Sequence, residues 1–300
     1  MTVSPDPMPA PPTVAVIGCG TMGIGIAIVA ARGGCPTIIY DADRARVSKA
    51  LAEIEMFLAG SVKRGKLDPQ TATDTLARFI LASAISDLAS ADLVIEAIFE
   101  DIAAKADLYG ALNRVCPSGT VFASNTSTLS ITRLAAASGR PENFVGLHFC
   151  LPAQLMKLVE VTPGLRTSAE TLTRSRTFCE AVGQIPIETK DRPGFILNHF
   201  AIPLNNRAIR LVEQGVATAR DIDLAMKTAM GFPMGPLELV DLVGLDTQER
   251  LCDTFFSITN DPALACPPLV RQMVAAGWLG KKSGRGFYEY SSSATFGAEG

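Results

Sequence analysis

A short apolar run, Thr13 to Ile17, leads straight into Gly18-Cys19-Gly20-Thr21-Met22-Gly23, and this turn constrains the chain more than any other segment. A helical pattern follows, with Ile24, Ala27, Ile28 and Ala31 on one face, and Gly33-Gly34 closes it. A second apolar run, Thr37-Ile38-Ile39-Tyr40, then ends in Asp41. Strand, glycine turn, helix, strand and acid in that order are what a dinucleotide site requires. Gly18 permits the tight turn, Gly20 lets the backbone approach a pyrophosphate, and Gly23 lets helix and strand pack closely. The amides and positive dipole end of the helix, which opens at Thr21 and Met22, hold the phosphates. A carboxylate at Asp41 accepts the ribose hydroxyls and repels a 2′-phosphate, so the cofactor indicated is NAD. Arg44 and Arg46 could meet a 2′-phosphate, but on a helix beginning after Asp41 they read as solvated surface, and NADP is the lesser alternative.

The chain has 300 residues, enough for about two domains, and 48% hydrophobic content, enough for substantial cores. A net charge of −3 argues against a nucleic-acid partner, which requires a basic footprint. No uninterrupted apolar run is long enough to span a bilayer. Residues 1–12 are proline-rich without an apolar core, and they read as a disordered tail, not a signal peptide. The seven cysteines are scattered without a C-x-x-C pair, so neither a disulfide frame nor a metal site is indicated, and a reducing cytoplasm fits. Cys150, two residues beyond His148, reads as a buried structural thiol between Phe149 and Leu151.

Strands and helices alternate through the first half. A charged helix from about Asp43 to Arg64 follows the second strand, and the Gly65–Pro69 break leads to another helix. Further strands are expected at Leu93–Ile95, Thr120–Ala123 and Val145–Phe149, with helices from Ala103 to Val115 and from Ile131. This rhythm implies an α/β fold, a Rossmann-type doubly wound, mostly parallel sheet, over residues 13–190. From residue 191 the pattern becomes an all-α C-terminal domain, 191–300. Its first helix runs from Phe195 to Glu213 with Pro203 inside it, and Asp221 is read as the cap of a second helix that ends near Gly231.

Only two histidines are present, and a dehydrogenase needs a base that titrates near neutrality. His148 lies at the end of an expected strand, and Glu160 lies in the extended run Lys157–Val161. If the two runs pair antiparallel about Gln154, His148 and Glu160 fall opposite each other. The carboxylate would then fix the imidazole tautomer. Without further context, a satisfied core histidine beside an edge glutamate is the favoured reading. Ser124 to Thr128 follow a strand end, where an open α/β sheet binds ligands. Helix capping is their other use. Asn198 sits in the first turn of the first C-terminal helix.

Taken together, GCGTMGIGIA (18–27), ADLVIEAIFED (91–101), ASNTSTLSIT (123–132), GLHF (146–149), MKLVEV (156–161), DRPGFILN (191–198), PMGPLEL (233–239) and GKKSGRGFYEY (280–290) resemble the L-3-hydroxyacyl-CoA dehydrogenase family. The likeness is closest to its bacterial 3-hydroxybutyryl-CoA members and runs from Val14 to about Tyr290. The resemblance implies His148 as general base and Glu160 as its orienting carboxylate. It implies Ser127 as a serine touching substrate and nicotinamide, and Asn198 as an asparagine positioning substrate. Glu100, Lys105 and Lys282 fall on positions associated with the cofactor. Lys63 and Arg64 lie near the region that holds coenzyme A, although a cationic helix end serves the dipole equally well. An acyl-CoA substrate and a homodimer formed through the helical domain are also implied.

Departures from the family pattern cluster after His148. The asparagine usual at position 151 is Leu151, which removes an amide and makes the pocket more apolar; this points to a longer, branched, cyclic or aromatic acyl group. His199 stands where arginine is usual, and Arg207 replaces a common glutamate. The nearest enzyme alternative is a dehydrogenase of the same fold acting on a free hydroxy acid, of the carnitine or gulonate type. A catalytically weak NAD-binding protein is the alternative from another class.

Overall fold

The computed structural model describes residues 11–290, so the expected N-terminal tail lies outside the described residues except for Pro11 and Pro12. The chain forms two compact units, one ending at Asp191 and the other beginning at Arg192.

The first unit is built on a sheet of eight strands: β1 (Val14–Ile17), β2 (Thr37–Tyr40), β3 (Phe79–Leu81), β4 (Leu93–Glu96), β5 (Val121–Ser124), β6 (Phe144–Phe149), β7 (Leu158–Pro163) and β8 (Ile185–Glu188). Their spatial order is β3-β2-β1-β4-β5-β6-β7-β8. Every neighbouring pair is parallel except β6 with β7. The order reverses at β1, which places a topological switch point between β1 and β4 and a ligand crevice beyond their carboxyl ends. β1, β4 and β5 are buried at every residue. Strands covered on both faces read as continuous runs without alternation, which is why VAVI, LVIE and VFAS look as they do.

Helices α1 (Thr21–Arg32), α2 (Arg44–Lys63), α3 (Pro69–Leu76), α4 (Ile102–Val115), α5 (Ile131–Ala137) and α6 (Ala169–Ala181) complete the unit. On α2, Val47, Ala50, Ile54 and Leu58 form a buried stripe at helical spacing against the core that holds Val14, Val16 and Ile39. Side chains of Asp43, Asp68, Asp101, Ser130 and Ser168 cap α2 to α6 by accepting amide hydrogens of the first turn. The N-terminus of α1, at Gly20, has no side-chain cap. β3, α6 and β8 have no counterpart in the sequence reading. β3 is three residues with Ile80 and Leu81 exposed, α6 is polar, and Pro186 within β8 suits only an edge strand.

The second unit contains α7 (Leu197–Glu213), α8 (Ala219–Met230), α9 (Pro236–Val243), α10 (Leu245–Thr259) and α11 (Pro268–Ala275) around Leu237, Val240, Leu245 and Val270. Two expectations are corrected here. The first helix begins at Leu197, not Phe195, because Gly194 and Phe195 both adopt positive φ (84° and 46°) that a right-handed helix cannot continue. The cap of α8 is Thr218, not Asp221. The Thr218 hydroxyl accepts from the Asp221 amide (3.2 Å) and donates to the Asp221 carboxylate (2.6 Å), so the acid supports the cap from the third helical position.

Two buried carboxylates pin the chain after α11. Asp241 accepts the amides of Phe287 and Tyr288, both at 2.9 Å, and the Tyr290 hydroxyl. Asp223 accepts the amides of Leu237 and Glu238 and the Tyr288 hydroxyl. Among the described residues no helix is long and apolar enough to cross a membrane.

Candidate active site

The glycine turn has the local geometry its residues demand. Gly18 has φ +102°, its amide donates to the Tyr40 carbonyl (2.8 Å), and a Cβ there would lie 2.6 Å from the Ala97 carbonyl oxygen. A Cβ at Gly23 would lie 1.7 Å from the Gly18 carbonyl oxygen. A Cβ at Gly20 would meet no protein atom within 4 Å, so the backbone there faces open space. Beside it lies a cavity of about 270 Å³, walled by Cys19, Gly20, Thr21 and Ile24 and, from α2, by Arg46, Lys49 and Glu53. Asp41, just beyond β2, accepts the amides of Cys19 (2.8 Å) and Asp43 (3.0 Å). An exposed glycine backbone, an uncapped helix N-terminus with Met22 in its opening turn, and an acid at the end of β2 together fit the pyrophosphate and ribose of NAD. Burial, reinforced by Asp41, pushes the Cys19 thiol up to about 12, so it stays neutral at physiological pH.

The antiparallel pairing of β6 and β7 sets His148 directly opposite Glu160. Nδ1 of His148 stands 2.7 Å from Oε2 of Glu160; the carboxylate is fully buried and the histidine 9% exposed. The amide of Phe149 donates to Oδ1 of Asn125 (2.9 Å), which ties the end of β6 to the loop after β5. Half-buried Cys150 is pushed up to about 11 by burial and by Glu160, so its thiol carries no nucleophilic charge at neutral pH.

An ionic cluster with a buried Glu96–Lys105 pair and a more exposed Glu100 underlies the loop that carries Ser127. Nζ of Lys105, 1% exposed, lies 2.6 Å from Oε1 of Glu96 and 3.1 Å from Oε2 of Glu100. Oε1 of Glu100 accepts the amides of Ser127 (3.0 Å) and Thr128 (3.1 Å) and the hydroxyls of Thr126 and Thr128. Burial pushes the Glu100 carboxyl up, but the Lys105 ammonium and the two threonine hydroxyls outweigh it and hold it below the usual glutamate range. A carboxylate depressed in the folded protein stabilises above its unfolded pKa and loses that contribution as pH falls through the folded one. The urea stability advantage of the wild type over Glu100→Gln is therefore expected to be constant above about pH 5 and to shrink as pH falls below about 4. An advantage that grows on acidification would refute that assignment.

Asn125, Thr126 and Thr128 fall within the Ser124–Thr128 run that the sequence singles out, whereas Glu96 is a member of this constellation that sequence reasoning missed. One signal was available for Glu96: a carboxylate closing a wholly apolar parallel strand is costly unless paired. The remaining candidates lie elsewhere. Lys63 and Arg64 are exposed at the C-terminal end of α2. Asn198 and Lys282 belong to the second unit. Asn198 is the second residue of α7, and Nζ of Lys282 lies 2.5 Å from Oδ1 of Asp246.

Fold and turn together define an NAD-dependent oxidoreductase of Rossmann type with a helical second part. Residues 13–192 match the NAD binding domain of 3-hydroxyacyl-CoA dehydrogenase, and residues 194–290 match the C-terminal domain of the same enzymes. A probable 3-hydroxybutyryl-CoA dehydrogenase of Bacillus subtilis is 41% identical over 282 residues, covering 94% of this chain and 98% of that protein. A 3-hydroxyadipyl-CoA dehydrogenase of Escherichia coli is 44% identical over 279 residues, covering 93% of this chain and 59% of that longer protein. The crystal structure of FadB2 from Mycobacterium tuberculosis superposes with a TM-score of 0.91 at 38% identity, covering 94% of this chain and all of that one. The chain belongs to the 3-hydroxyacyl-CoA dehydrogenase family.

Proposed function

We propose that the protein interconverts a 3-hydroxyacyl-CoA and the corresponding 3-oxoacyl-CoA, with His148 as general base and Glu160 as its orienting carboxylate. The observation that carries this reading is the 2.7 Å contact between Nδ1 of His148 and Oε2 of Glu160 at the carboxyl end of β6. A carboxylate on Nδ1 keeps the ring proton there, so Nε2 is the basic nitrogen. NAD, when bound, accepts the hydride that leaves C3. His148 takes the C3 hydroxyl proton in oxidation and returns it to the forming alkoxide in reduction, while Glu160 stabilises the imidazolium between those events. Ser127 donates a hydrogen bond to the substrate oxygen, and Asn198 is assigned the same task. Asp41 takes the adenosine ribose, Glu100, Lys105 and Lys282 belong to the cofactor end, and Lys63 and Arg64 take coenzyme A phosphates.

The test is NADH oxidation with acetoacetyl-CoA beside free acetoacetate. Turnover of the thioester at least about a hundredfold more efficient is expected, since binding energy from the remote coenzyme A portion supports the chemical step. Equal or better turnover of the free acid would instead favour a hydroxy-acid dehydrogenase. Leu151 lies in the segment after β6, half-buried beside Cys150. Leu151→Asn is expected to shift the kcat/KM ratio of long to short acyl thioesters toward the short ones by on the order of fivefold. An unchanged profile across chain lengths would remove Leu151 from the acyl pocket. A homodimer in the cytoplasm completes the proposal, with light scattering as its check.

A further inference from the structure

The ionic cluster under Ser127 contains one group without a role in the reading above. Glu96 is the last residue of β4, paired in register with Ile17 of β1 and Ser124 of β5, and it is completely buried. Both of its oxygens are engaged. Oε1 accepts Nζ of Lys105 (2.6 Å) and the amide of Ile98 (2.8 Å); Oε2 accepts the hydroxyls of Ser124 (2.7 Å) and Tyr109 (3.3 Å).

Two routes lead from this carboxylate to the loop. In the first, Lys105 bridges to Glu100, whose other oxygen gathers four donors, all from residues 126–128. In the second, the Ser124 hydroxyl donates to Glu96 and in turn accepts the Thr126 amide at 3.3 Å. A third tie is in the backbone, where the Asn125 amide donates to the Glu96 carbonyl (2.8 Å). We propose that Glu96 is a positioning residue: through Lys105–Glu100 and through Ser124 it sets the 126–128 backbone and so the placement of Ser127.

Stability alone does not account for this arrangement. The Glu96 carboxylate and the Lys105 ammonium are withdrawn from water, while Glu100 keeps 28% of its side chain exposed, and a buried pair of this kind contributes less stability than an apolar pair of equal volume. What the charges add is direction. Each oxygen of Glu96 and Glu100 is aimed at specific donors, and the four on Oε1 of Glu100 all come from one three-residue loop at the carboxyl edge of the sheet. Replacing the carboxylate with an amide breaks that pattern, because the NH2 group must face either the Lys105 ammonium or the Ser124 and Tyr109 hydroxyls. On the hydroxyl side it forces Ser124 to accept, so the Ser124 proton loses its carboxylate acceptor and the hydroxyl that takes the Thr126 amide is no longer anchored by a charge.

The assignment rests on the reading of Ser127 as a substrate contact for its kinetic consequence, but not for its structural one. Amide hydrogen exchange in Glu96→Gln is the first readout. Exchange at Thr126, Ser127 and Thr128 is expected to rise about tenfold, with the amides of Val121 to Ala123 unchanged. Unchanged exchange at the loop, or an equal rise across β5, would overturn the proposal. Ser124→Ala, which cuts only the second route and strands no charge, is expected to raise exchange at Thr126 about threefold, and it keeps the question open to measurement should the Glu96 variant fail to fold.

Kinetics with acetoacetyl-CoA and NADH supply the second readout. Glu96→Gln is expected to lower kcat at least about tenfold with the NADH dissociation constant within threefold, and to add less than threefold on a Ser127→Ala background. Full additivity would overturn the link to Ser127. If the wild type turns over no acyl thioester, it is the enzymatic reading that fails, and the exchange data alone then decide the role of Glu96.

Discussion

His148→Ala is expected to lower kcat for NADH oxidation with acetoacetyl-CoA by about a thousandfold, the middle of the range for a lost general acid–base group. NADH binding, followed by fluorescence, is expected to stay within about twofold, because the phosphate turn lies at β1 and the histidine at the end of β6. The size of the effect follows from the geometry. His148 is held by a fully buried carboxylate at 2.7 Å on an antiparallel strand pair, so its ring is fixed in one orientation. The other histidine, His199, is on α7 in the second unit. Truncation also changes what Glu160 faces, so His148→Gln is the companion variant. It retains an N–H toward Glu160 but no base, and the same loss of kcat with an unchanged melting temperature would assign the effect to proton transfer. Glu160→Gln is expected to fall between the wild type and these variants, with kcat down about ten- to hundredfold, since an amide can hold the tautomer but cannot stabilise the imidazolium. If His148→Ala retained a tenth of the wild-type rate, the base would have to be sought elsewhere.

The residues legible from sequence share one property: their chemistry is local. The turn from Gly18 to Gly23 and the acid at Asp41 are separated by one helix and one strand, and the spacing alone implies a common site. The pairing of His148 with Glu160 was readable because two extended runs flank a short Pro-containing connection, and the register of an antiparallel pair is arithmetic. Glu96 was not readable because its partners, Lys105 and Ser124, come from a helix and a neighbouring strand that only the parallel sheet brings together. β8 was missed for a related reason. An edge strand carrying Pro186 has neither the apolar run nor the alternation on which a strand assignment depends, and its pairing with β7 is settled by tertiary contact. The cap of α8 shows a finer failure: Thr218 and Asp221 satisfy each other, and sequence alone does not say which of the two stands outside the helix.

The glycine turn separates packing from ligand contact in one paired experiment. At Gly23 an added Cβ would stand 1.7 Å from the Gly18 carbonyl oxygen, a backbone atom with little freedom to yield. Gly18 is itself committed: φ is +102°, its amide is bonded to Tyr40, and a Cβ on it would strike the Ala97 carbonyl at 2.6 Å. Gly23→Ala must therefore part α1 from β1, at a cost of about 3 kcal/mol or more, which corresponds to a fall in melting temperature of roughly 6–12 °C. NADH affinity is expected to fall by more than about a hundredfold as the α1 amides are displaced from the turn. Gly20→Ala should behave in the opposite way. Its Cβ meets no protein atom within 4 Å and Gly20 has a negative φ of −85°, so the melting temperature should move by less than about 2 °C. The methyl group nevertheless occupies the space through which a pyrophosphate would approach, and NADH affinity should drop at least about tenfold. Wild-type NADH binding by Gly20→Ala would mean that the phosphates do not lie over this turn.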